Sequence, residues 1–122
     1  SHIPIYQDEH YLNTHLLRWQ PETIINLPEG IGFIPFEIPG SPQLMSANEA
    51  CLRRYRIVLW AKHGVMSRSD VSIKRAADRV EYAETAARYE YLNLTTGELG
   101  TGLSPDEIRS ICRTFNIEQS IF

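Results

Sequence analysis

Hydrophobic positions along this chain switch repeatedly between helical and strand periods. In "DEHYLNTHLLRW" (Asp8–Trp19), Leu12 and Leu16 stand four apart behind an acidic first turn. That spacing predicts a short helix ended by Pro21. The β-rich "TIINL" (Thr23–Leu27) and the alternating "GFIPFEI" (Gly32–Ile38) predict two strands joined by the turn residues "PEG" (Pro28–Gly30). Pro35, inside the second, places it at a sheet edge or a bulge.

Ser41 followed by Pro42 reads as an N-cap with proline in the first turn, opening a helix with Leu44, Ala47, Cys51 and Tyr55 on one face. Ile57, Val58, Leu59 and Trp60 form an unbroken apolar run, the pattern of a strand covered on both faces. β character resumes at Val65 and Met66 after Gly64. Ser69 and Asp70 then start the longest helix, Asp70–Asn93, whose face of Ile73, Ala77, Val80, Ala83 or Glu84, Ala87 and Tyr91 is mostly small. A loop follows (Thr95–Leu103). "SPDE" (Ser104–Glu107) is a capping box that opens a final helix bearing Ile108, Ile111, Cys112 and Phe115. This order predicts an α+β fold, a small and mainly antiparallel sheet covered by helices.

At 122 residues the chain reads as a single domain, 1–122, without repeats or linkers. A formal net charge of −3, with its basic residues scattered, offers no footprint for nucleic acid or an anionic membrane. No apolar run reaches the roughly 20 residues of a bilayer span. Cys51 and Cys112 lack metal-finger spacing and sit in apolar helical patterns, as buried free thiols of a reducing compartment do; the expected address is cytoplasmic.

Chemistry centres on "RIVLWAKHGVMS" (Arg56–Ser67), where His63 follows a buried strand and Gly64 supplies backbone freedom. A rigid strand end is a good post for a metal ligand. The alternative is a core histidine satisfied by a backbone carbonyl, or a strand-end histidine in a turn. His10 and His15, five apart, share no helical face and read as solvated or partly packed. His2 lies beside the apolar-proline segment "HIPI", although "SH" at a chain start is also what a tag leaves behind. Glu22 is a carboxylate between Pro21 and a buried-looking segment, a place where most glutamates are simply exposed. No phosphate loop, nucleophile elbow or Cys-x-x-Cys pair is present.

Taken in order, "LPEGIGFIPFEIPGS" (Leu27–Ser41), a helix, and "IVLWAKHGVMS" (Ile57–Ser67) resemble the C-terminal portion of a class II aldolase of the class II aldolase/adducin family. There a Pro-acid-Gly segment runs through alternating apolar residues to a Pro-Gly turn, a helix, and a strand closing on Trp-x-x-His-Gly. The long helix and "SPDEIRSICRTFNI" (Ser104–Ile117) continue the likeness. The His-Gly dipeptide alone recurs among aldolases, epimerases and the non-catalytic adducin-like branch.

The resemblance implies an αβα fold and a cyclic homotetramer with active sites between neighbouring subunits. It also implies Zn²⁺ held by three histidines, two from a His-x-His segment and one from the strand-end His-Gly. His63 matches the last of these. His2 matches the second member of the pair, with Ser1 between it and a first member that would precede the chain. Glu22 resembles a glutamate given to the adjacent subunit's site. The family's general base and phosphate-binding loops match no residue here. The expected activity, metal-dependent cleavage of a sugar phosphate, therefore belongs to a longer polypeptide or to an assembly with a complementary N-terminal piece. Another sugar-phosphate aldolase, an epimerase, and an adducin-like interaction domain are the alternatives.

Overall fold

The computed structural model describes residues 8–97 and 100–122. α1 (Glu9–Tyr11) starts at Asp8, whose carboxylate accepts from the His10 and Tyr11 amides. The helix then widens into a π-turn (Leu12–Leu16) and tightens into a 3₁₀ turn (Leu17–Trp19). Pro21 begins α2 (Pro21–Asn26). The segment expected to be the first strand is thus helical. Pro21 marks the end of the first helical run as expected, with Gln20 before it extended (φ −143°, ψ 141°), and it also opens a second helix. Its fixed φ suits the first helical position, and Thr23, Ile24 and Leu27 are buried at helical spacing.

The sheet is three-stranded, ordered β1 (Gly32–Ile34), β2 (Ile57–Trp60), β3 (Gly64–Ser67). β1 is an edge strand that stops just before Pro35, which has no N–H for a ladder. It pairs with β2 in parallel, whereas β2 and β3 run antiparallel. The sheet is therefore mixed, not mainly antiparallel. α3 (Pro42–Arg54) lies between β1 and β2 as a crossover, the connection that parallel neighbours need, and a three-residue turn joins β2 to β3. Ser41 caps α3 as expected, accepting from Leu44 N at 3.1 Å.

Alternation along β2 splits the core into two layers. Val58 packs with Ile34 and Leu44 beneath α3. Ile57 and Leu59 face the larger cluster of Leu12, Leu16, Leu17, Ile24, Ala83, Ala86, Ala87 and Ile108. The sheet thus lies between helices, as an αβα arrangement requires. α4 (Ile73–Thr96) starts three residues later than the sequence suggests, capped by Ser72. Its buried face is Ala83, Ala86, Ala87 and Glu90, while Ile73, Ala77 and Tyr91 are exposed. α5 (Pro105–Phe115) has both bonds of the Ser104/Glu107 capping box. Cys51 and Cys112 are free and half-buried.

Candidate functional site

His63 closes the β2–β3 turn. Its amide donates to Trp60 O at 3.0 Å, and the Ala61 amide donates across the sheet to Ile34 O at 3.0 Å. The turn is thus tied to two strands. Its left-handed residue is Lys62 (φ 61°), not Gly64. Gly64 contributes room instead, since a Cβ built there would meet nothing within 4 Å. Asn48 on α3 fixes the indole beneath the turn: Trp60 Nε1 donates to Asn48 Oδ1 at 2.9 Å, and Asn48 Nδ2 points to Met66 Sδ at 3.1 Å. The His63 ring stands edge-on to Trp60, centroids 5.1 Å apart, and is exposed. Leu44, Met45, Asn48, Trp60 and Met66 line a shallow pocket of about 290 Å³ beside it.

Glu22 is exposed in the first turn of α2. The far end of α2 docks at the start of β2, where Arg56 Nη1 donates to Asn26 O at 3.3 Å, while His63 lies beyond the other end of β2. The structure does not bring the two side chains into one cluster. Among the described residues no three His, Cys, Asp or Glu side chains are grouped closely enough to hold a metal ion. His2 lies outside the described residues. Catalytic zinc takes three protein ligands and keeps an open position. His63, an exposed imidazole on an anchored turn, fits one such place. The thioethers and indole around it supply no carboxylate, so further ligands have to come from elsewhere.

Sequence reasoning missed Glu90. It is 2% exposed, yet accepts from Tyr11 Oη and Trp19 Nε1, both at 2.8 Å, with His15 Nδ1 3.8 Å away. Tyr11 and His15 stack at 4.1 Å. One signal was available: Glu90 falls three and seven residues after Ala87 and Ala83, on the small-residue face that must be buried. His10, by contrast, is exposed. Cys51 is a poor nucleophile, because burial, and then the charge of Glu9, push its thiol pKa up. Burial likewise raises Tyr55, followed by the charge of Glu9 and the hydrogen bond to it.

Residues 11–91 match the profile of the class II aldolase and adducin N-terminal domain, well over half of the sequence, and the chain belongs to that family. The Ser104–Ile117 segment falls outside that match. Among curated relatives, the rhamnulose-1-phosphate aldolase of Bacteroides thetaiotaomicron is 30% identical over 97 residues, 80% of this chain and 36% of the relative. That of Listeria monocytogenes (strain HCC23) is 24% identical over 102 residues, 82% of this chain and 37% of the relative. The chain thus spans just over a third of the length of these relatives. A solved sugar-phosphate aldolase from Thermotoga maritima superposes with a TM-score of 0.67 at 34% identity, covering 78% of this chain and 41% of that one. YgbL from Klebsiella pneumoniae, named as a candidate aldolase/epimerase/decarboxylase, gives 0.62 at 26% identity, with 78% and 44% covered.

Proposed function

We propose that this chain is the C-terminal portion of a zinc-dependent aldolase that cleaves L-rhamnulose 1-phosphate to dihydroxyacetone phosphate and L-lactaldehyde. The observation that carries this reading is the exposed His63 imidazole, anchored at the end of β2 in a fold shared with a sugar-phosphate aldolase. His63 would hold the metal together with His2 and a third histidine outside this chain. A divalent ion held there supplies Lewis-acid stabilisation of the negative charge that develops on the substrate's oxygens.

This chain's own contribution is positional. Trp60 and Asn48 fix the turn that presents His63, and Gly64 keeps the space beside it open. Glu22, exposed and outside that cluster, would serve a neighbouring subunit's site in a homotetramer. Free half-buried thiols at Cys51 and Cys112 agree with a cytoplasmic address. The likeness to YgbL favours one second reading, a sugar-phosphate epimerase or another aldolase on the same ligands.

The test uses the longest natural polypeptide that contains this sequence. Its metal content and release of dihydroxyacetone phosphate from L-rhamnulose 1-phosphate are measured for wild type, His63→Ala and Glu22→Gln. The expected result is bound zinc and turnover in wild type and loss of both in H63A. E22Q should retain zinc with turnover reduced by roughly 10²-fold or more, as for other acid–base groups. Full zinc content and unchanged turnover in H63A would overturn the assignment. Epimerisation without cleavage would favour the second reading.

A further inference from the structure

On the far side of the large core cluster, the π-turn faces the loop before α5 across a pocket of about 670 Å³. Thr14, His15, Arg18, Thr101, Ser104 and Glu107 supply its polar wall, and Leu103 and Phe122 its apolar one. The loop is held to the π-turn segment by Leu103 N donating to Arg18 O at 2.7 Å. Gly102 (φ 64°) permits that approach, since a Cβ there would lie 2.9 Å from the Arg18 carbonyl oxygen. A backbone contact therefore fixes the two segments that carry the lining side chains. It shares no residue with the pocket beside His63.

Arg18 is the unexplained group. Its Nη2 lies 3.4 Å from His15 Nδ1, and its guanidinium carbon is 5.3 Å from the Trp19 ring centroid. Its Nε is buried and has no hydrogen-bond partner among the described residues. No carboxylate among the described residues pairs with it. Buried donors are normally satisfied, and an orphan in a native fold points to a bound water or ion. The two nearby carboxylates are already engaged. Glu90 takes Tyr11 and Trp19, and Glu107 takes the Ser104 amide at 2.7 Å.

Further donors line the same pocket. Arg18 can only donate, so the tautomer that suits its contact with His15 Nδ1 is the one with the proton on Nε2. Ser104 Oγ accepts from Glu107 N at 3.2 Å, which leaves its O–H free to donate. Thr101 adds a second exposed hydroxyl. A guanidinium, an imidazole N–H and two hydroxyls suit a tetrahedral dianion with several acceptor oxygens better than a two-oxygen carboxylate. The volume lies within the range of small-molecule sites and leaves room for an organic body against Leu103 and Phe122.

We propose that this pocket binds a small phosphate monoester, its phosphate held by Arg18 with His15, Thr101 and Ser104 donating. The assignment is independent of the aldolase reading, because neither His63 nor Glu22 takes part.

The test titrates the 122-residue chain with inorganic phosphate, glycerol 3-phosphate and acetate while following backbone amide shifts and Trp19 fluorescence. Saturable shifts at Thr101, Leu103 and Ser104 are expected with both phosphates and not with acetate, and glycerol 3-phosphate should bind more tightly. Arg18→Met should weaken binding about tenfold or more, as expected for a charge-assisted contact. Thr101→Val, at an exposed position, should weaken it several-fold. Arg18→Lys guards against loss of folding in R18M, because it keeps the charge while losing the planar fork. Absence of saturation with both phosphates, or T101V and R18K binding as wild type does, would overturn the proposal.

Discussion

Asn13 bonds both backbone groups of Ile31. Its Nδ2 donates to Ile31 O at 2.9 Å, and its Oδ1 accepts from Ile31 N at 2.7 Å. A buried side-chain amide thus takes the place of a neighbouring strand just before β1. The same contact dictates Gly30: its φ is 88°, and a Cβ there would lie 2.5 Å from Asn13 Oδ1. The π-turn and the entry to the sheet are therefore one structural unit.

Asn13→Ala leaves the amide and carbonyl of Ile31 buried without partners. At roughly 1–3 kcal/mol for each stranded group, the expected loss of stability is about 2–6 kcal/mol. Urea unfolding should show a lower midpoint with an unchanged slope. Asn13→Asp keeps the acceptor for Ile31 N but turns a buried carboxylate oxygen toward the Glu9 and Ile31 carbonyls, so it should also lower the midpoint. A wild-type midpoint for the alanine variant would mean that Ile31 finds other partners.

Removing Glu90 strands two donors of different character. Glu90→Ala should cost about 2–4 kcal/mol. Glu90→Gln should cost less, because the Tyr11 hydroxyl can rotate to accept while the amide oxygen still serves Trp19 Nε1. Trp19 fluorescence should report both, shifting more for alanine. Equal destabilisation by the two variants would show that charge, not hydrogen bonding, holds the cluster.

The pH response of α5 follows from its cap. Hydrogen bonding from Ser104 holds the Glu107 pKa below the 4.5 of an unperturbed glutamate. A depressed carboxylate contributes stability above its unfolded value, and this is lost as pH falls through the lower folded value. Carbon NMR titration of the Glu107 carboxyl should place its midpoint below 4.5. α5 should fray on the same acid limb, and Glu107→Gln should flatten that response. A midpoint at or above the ordinary value would show that the capping box is open in solution.

This chain by itself should show no aldolase activity. His63 is the single imidazole at its candidate site among the described residues, too few ligands for tight zinc. With no residue here matching the family's general base, turnover should fall by about 10²–10⁴-fold more. A coupled assay for dihydroxyacetone phosphate should stay at background. Clear turnover would reveal a base within the chain.

The isolated chain should also self-associate. Ile73 is 90% exposed, Val71 78% and Ile38 68%, and β1 and β3 are sheet edges. Exposed apolar groups and open edges favour pairing with another copy or with the rest of the polypeptide. Sedimentation at micromolar concentration should give species heavier than 14.0 kDa. A stable monomer would mean that these surfaces need no cover.

Signals that act within one helical turn or one strand period were legible in the sequence by itself. Ser41–Pro42 and the Ser104–Glu107 box start helices because side-chain oxygens meet amides three residues on. The Ile57–Trp60 run reads as a strand covered on both faces because it is short, β-branched and aromatic, and followed within four residues by Gly64; Ile57, Val58 and Leu59 are fully buried. The order of motifs around His63 was legible too, and with it the family.

Tertiary structure alone decided the rest. The β-branched "TIINL" became helix because strand propensity amounts to only about 1 kcal/mol across its scale. Burial of Thr23, Ile24 and Leu27, and bonds from the Thr23 hydroxyl to Leu17 O and Gln20 O, outweigh it. Parallel pairing of β1 with β2 depends on where α3 packs, which no local period encodes. The same holds for the Glu90 cluster and for Arg18, which has no carboxylate partner among the described residues: Tyr11 and Glu90 are 79 positions apart, the loop beside Arg18 is equally remote in sequence, and only the folded core brings those segments together.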